Sequence, residues 1–137
     1  MNTHRLAAWG SVVVVGIAIV AGLLFVGPPS TQRTLRLDER RVADLMQLQY
    51  AVDSYWSEHR ELPGGLAVLV DGRRLSQLPL DPSTDQSYEY RATEPRRFEL
   101  CATFAGSSED ARNFWAHETG RKCFSFGVTA RNVDFPQ

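Results

Sequence analysis

One stretch constrains this chain more than any other. Between Leu6 and Val26, 17 of 21 residues are hydrophobic and none is charged. A helix of that length reaches about 31 Å, the hydrocarbon thickness of a bilayer. Backbone amides cannot face lipid unpaired, so the segment is expected to be a helix despite its many valines. Trp9 stands where an interfacial aromatic anchor belongs. Gly27, Pro28 and Pro29 follow and are expected to end the helix. A secretory signal has a shorter apolar core ending at an A-x-A-like site, and neither property holds here. The reading is therefore an uncleaved anchor: a short tail over 1–5, a transmembrane helix over 6–26 and a linker over 27–37.

Two features bear on how such a helix would sit. Gly16, Ala18 and Gly22 are small, and Ala18 and Gly22 stand four apart, the spacing that lets membrane helices approach closely. The alternative is ordinary membrane-helix glycine. The N-terminal flank carries only Arg5, whereas Arg33, Arg36, Arg40 and Arg41 follow the segment. Taken literally, the positive-inside rule would keep the C-terminal part in the cytoplasm. A short N-terminal tail commonly stays inside, however, and long domains translocate largely regardless of charge. The expected arrangement is a single pass through a bacterial inner membrane, with the C-terminal part extracytoplasmic.

Beyond the segment the periodicity is that of a small globular unit, expected over 38–130, with a tail over 131–137. The stripe residues recur at helical spacing from Asp38 to about Arg60: Val42, Leu45, Leu48 or Gln49, Val52, Tyr55 and Trp56. Arg40, Arg41, Asp44, Asp53 and Glu58 are assigned to the opposite face. Asp38 is the expected N-cap, and Leu62-Pro63-Gly64-Gly65 the stop. Asp81-Pro82-Ser83-Thr84-Asp85 is a loop by composition. The period then becomes two. Tyr88 and Tyr90 alternate with polar residues, Glu94-Pro95-Arg96 is a turn, and Phe98, Leu100, Ala102 and Phe104 alternate again. Cys123 to Phe126 is the third expected strand. The fold class is α+β: a helix packed on an antiparallel sheet of about three strands, with Leu45, Val52, Trp56 and Trp115 in its core.

The order of these pieces resembles the pilin-like proteins, closest to the pseudopilins of type II secretion. The helix RRVADLMQLQYAVDSYWSEHRELP, the stretch LPLDPSTDQSYEY and the strand FELCATF carry the resemblance. It implies an amphipathic helix on a small antiparallel sheet, following a membrane helix. Prepilins carry a peptidase site with a glutamate five residues into the mature helix. Here the corresponding stretch is Gly10-Ser11-Val12-Val13-Val14-Val15, and no acid precedes Asp38. The resemblance therefore extends to the soluble fold rather than to filament assembly.

Candidate chemistry is sparse. Cys101 and Cys123, on two expected strands, are placed to bridge neighbours; two buried free thiols or half a metal site are the alternatives. Neither Cys-x-x-Cys nor paired histidines support zinc. His117 is expected to hold a structural hydrogen bond beside Trp115, and His59 to sit at a helix end. Asp81 and Asp85 are better turn formers than calcium ligands. Residues 31–137 carry 14 basic and 16 acidic side chains, which is not a nucleic-acid-binding balance. The expected protein is non-enzymatic, without cofactor or small-molecule substrate. Its expected partners are the lipid bilayer and a membrane complex, in which it is an accessory or structural subunit; a secretion or pilus filament subunit is the alternative.

Overall fold

Residues Thr3 to Val26 form one α-helix, α1, in the computed structural model, which describes residues 3–26, 29–108 and 113–128. Every side chain from Ala8 to Phe25 is exposed within the chain itself. The helix is long and apolar enough to cross a membrane. Apolar side chains on all sides of a helix are the pattern of one made to be surrounded by lipid or by other protein.

The second helix, α2, runs from Pro29 to His59, so it begins nine residues before the expected N-cap. Residues 30–37, read as linker, are helical; Gly27 and Pro28 lie outside the described residues. The stretch STQRTLRL contains neither glycine nor proline, and a proline in the first turn costs no hydrogen bond. Thr34 Oγ1 donates back to the Ser30 carbonyl at 3.1 Å. The chain divides between Thr34 and Leu35 into two compact units.

At its C-terminus α2 is closed by Arg60, not by glycine. Arg60 takes a left-handed conformation, with φ 59°, and its N–H donates to the Trp56 carbonyl at 2.8 Å. A 3₁₀ turn over Leu66–Leu69 follows and buries Leu66 and Leu69. Three strands complete the unit: β1 (Glu89–Glu94), β2 (Arg97–Phe104) and β3 (Gly120–Gly127). They form an antiparallel sheet in the order β1-β2-β3. Leu100 faces Tyr90 on one side and Phe124 on the other; Cys101 faces Glu89 and Cys123.

That register sorts the side chains by face. Phe98, Leu100, Ala102, Phe104, Phe124 and Phe126 point inward and join Leu45, Leu48, Ala51, Val52 and Trp56 of α2 in one buried cluster. Glu89, Arg91, Glu99, Arg121 and Ser125 occupy the other face and pair with one another: Arg91 with Glu99, Ser125 with Glu99, and Arg121 with Glu89. The observed fold is thus the α+β arrangement expected: helix first, then a three-stranded antiparallel sheet.

Candidate functional site

The most constructed polar feature is centred on Arg41. The residue was assigned to the outer face of its helix, but it is 4% exposed. Its position explains this: Arg41, Leu45, Leu48, Val52 and Trp56 succeed one another at three- and four-residue steps along the buried stripe. Its guanidinium has a partner on nearly every donor. Nε donates to Asp81 Oδ2 at 2.6 Å and Nη2 to Asp81 Oδ1 at 3.1 Å. Nη2 also donates to Ser83 Oγ at 2.9 Å, and Nη1 to Asp38 Oδ1 at 2.7 Å.

The two carboxylates also accept backbone donors. Asp81 Oδ1 accepts the backbone N–H groups of Ser83 and Thr84 at 2.9 and 3.1 Å, an Asx turn that shapes the loop. Asp38, expected as the N-cap of its own helix, lies inside α2 and instead accepts the backbone N–H groups of Ala105 and Gly106 at 3.0 and 2.7 Å. Hydrogen bonding from Arg41 holds the Asp81 carboxyl below its ordinary range, and the same bond raises the Arg41 guanidinium further. The cluster fastens α2 to the loop before β1 and to the end of β2. Its donors and acceptors are spent on one another, so it is built to hold elements together.

A second polar tie lies nearby. Tyr88 Oη donates to Asp44 Oδ2 at 2.7 Å, so Asp44 also faces a partner, not open solvent. Burial, then the bond to Asp44, raises the Tyr88 phenol. Tyr90 is pushed up to about 12 by burial.

The remaining sequence candidates fall as follows. Cys101 and Cys123 form a disulfide between directly facing residues of β2 and β3. Leu45, Val52 and Trp56 are buried, and Trp115 packs partly buried against Phe124 with ring centroids 4.9 Å apart. His117 stacks on Phe104 at 3.7 Å, with Nδ1 2.9 Å from the Trp115 carbonyl. His59 stacks on Tyr55 at 4.0 Å. Trp9, Gly16, Ala18 and Gly22 are all exposed on α1, and among the described residues a Cβ at Gly16 or Gly22 would meet nothing within 4 Å. Among the described residues, no group of three or more histidine, cysteine or acidic side chains is gathered as a metal site.

Sequence reasoning missed the Arg41 cluster, although one signal pointed to it: the arginine sits four residues before Leu45 on the apolar stripe. No protein-family model matches the chain, no curated protein matches it in sequence, and no solved structure matches its fold.

Proposed function

We propose that this is a single-pass membrane protein without enzymatic activity, whose C-terminal domain is an accessory or structural subunit of a bacterial membrane complex. The observation that carries the reading is the contrast between the two units. Side chains from Ala8 to Phe25 are apolar or small and exposed, whereas the buried polar groups of the Arg41 cluster satisfy one another internally. A surface that needs lipid or protein, joined to a domain whose strongest polar cluster is closed, suits a tethered binding module.

The disulfide supports an oxidising compartment, and hence an extracytoplasmic domain with the N-terminus in the cytoplasm. The order of apolar helix, amphipathic helix and antiparallel meander supports a pilin-like domain. It also supports a second reading, a pseudopilin-like filament subunit, against which the missing glutamate and peptidase motif stand.

The test is extraction of the full-length chain from native membranes in mild detergent after chemical crosslinking. A defined stoichiometric complex is expected, one that weakens when Gly16 and Gly22 are replaced by leucine. A monodisperse monomer, with no crosslinked species, overturns the proposal. Protease protection in sealed vesicles checks the orientation. Mass spectrometry of the mature N-terminus separates the two readings, since prepilin processing would remove Met1.

A further inference from the structure

The outer face of the sheet holds more than an inert staple. Cys101 and Cys123 are direct cross-strand neighbours with Cα atoms 4.0 Å apart, the close separation of a non-hydrogen-bonded antiparallel pair. The two sulfurs differ in surroundings. Cys101, on the central strand, is 5% exposed, while Cys123, on β3, is only partly buried. Arg121 Nη2 lies 3.5 Å from Cys101 Sγ. That guanidinium is held by Glu89, the residue facing Cys101 on β1, through Nε–Oε1 and Nη2–Oε2 contacts of 3.0 and 2.6 Å.

We propose that this disulfide is a directional thiol-exchange site whose co-reactant is a low-molecular-weight thiol. An incoming thiolate attacks Sγ of Cys123, the more exposed of the two residues. A bond forms between the incoming sulfur and Cys123 as the Cys101–Cys123 bond breaks. The electron pair leaves on Cys101 Sγ. One thiolate is consumed and one is released, so no further oxidant or proton source is required. The rate of such exchange depends on which sulfur is attacked and how well the other departs. A guanidinium beside a sulfur favours its thiolate form, so Arg121, in contact with the leaving sulfur, assists the departure of Cys101. The product carries the incoming thiol on Cys123 and unstaples β3 from β2, leaving a modification on the exposed face of the domain.

The experiment incubates the full-length, detergent-solubilised chain with reduced glutathione, quenches with N-ethylmaleimide and maps both cysteines by peptide mass spectrometry. The expected product has glutathione on Cys123 and maleimide on Cys101. Glutathione found equally or mainly on Cys101 overturns the proposal. Arg121→Gln should slow exchange by about three- to tenfold, and Glu89→Gln, which removes the carboxylate neutralising Arg121, should accelerate it. If Arg121 were merely structural, both variants would loosen the same corner of the sheet and accelerate exchange. An Arg121→Gln rate equal to or faster than wild type therefore also overturns it.

Discussion

Arg41 on α2 and Asp81 in the loop before β1, forty residues apart in sequence, meet in a two-bond, fork-to-carboxylate ion pair with contacts of 2.6 and 3.1 Å. Pairs of this geometry are among the stronger charge-assisted hydrogen bonds. Their value is nonetheless asymmetric: two buried charges cost much to desolvate, so a pair adds little over an apolar filling, but breaking it strands a buried charge. Arg41→Met would leave Asp38 and Asp81 without their cation and should destabilise the domain by about 3–5 kcal/mol. Arg40→Met, one residue away and exposed, should change stability by less than about 0.5 kcal/mol. Thermal or urea unfolding of the two full-length variants, followed by circular dichroism, makes the comparison.

The same pair gives a pH signature. The folded-state Asp81 carboxyl lies below its ordinary 3.8, with the Arg41 hydrogen bond as the largest cause. A group depressed on folding contributes stability that is fully present above its unfolded value and is lost as pH falls through the folded one. The stability gap between wild type and Asp81→Asn should therefore be constant from neutral pH down towards 3.8 and close below it. A gap that widens on acidification would contradict the assignment.

These two predictions rest on residues that local pattern could not connect. The alternation of Phe98, Leu100, Ala102 and Phe104 is visible in the sequence because a half-buried strand repeats every second residue. The stripe from Leu45 to Trp56 is visible for the same reason at helical period. Cys101 and Cys123 could be placed on neighbouring strands because each sits at an alternation site. Arg41 and Asp38 were hidden by a rule that usually works: charged residues were assigned outward, and an aspartate at the edge of an apolar pattern was assigned to capping. Their partners are Asp81, Ser83, Ala105 and Gly106, all distant in sequence. The start of α2 was hidden as well, because helical residues before Asp38 carry no apolar stripe to reveal them.

Tyr88 offers an independent check on the packing between α2 and the sheet. Burial raises its phenol above the ordinary 10.0, with the bond to Asp44 as the next cause. A group raised on folding contributes stability present below its unfolded value and lost as pH climbs above it. Alkaline titration of tyrosinate absorbance should find both phenols ionising above the ordinary 10.0, Tyr90 at about 12. Tyr88→Phe should remove one of the late-ionising phenols and cost about 1–2 kcal/mol, since it withdraws the hydrogen-bond donor from Asp44. A titration in which Tyr88→Phe deletes an early-ionising tyrosine would show the phenol to be solvated.

The disulfide closes a separation of 22 residues. A cross-link of that span restricts the unfolded chain and is worth about 3 kcal/mol. The Cys101→Ser, Cys123→Ser double variant should unfold earlier by that amount, measured against oxidised wild type. It should fall close to reduced wild type, because the buried core on the opposite face is untouched. A double variant as stable as the oxidised chain would show the staple to be energetically idle.

Trp56 separates packing from hydrogen bonding. Its indole is buried in the core cluster, yet among the described residues its Nε1–H has no acceptor. The guanidinium groups of Arg60 and Arg96 stand over the ring at 5.3 and 5.8 Å. A buried donor without a partner costs about 1–3 kcal/mol, so the tryptophan is held there by area and ring contacts in spite of its N–H. Trp56→Ala should remove both and cost about 3–5 kcal/mol. Trp56→Phe keeps most of the apolar contact and an aromatic face for the two arginines, and it also deletes the unpaired donor. Its cost should be far smaller, on the order of 1 kcal/mol. Equal losses for the two variants would contradict this assignment of its stability to apolar area and ring contacts.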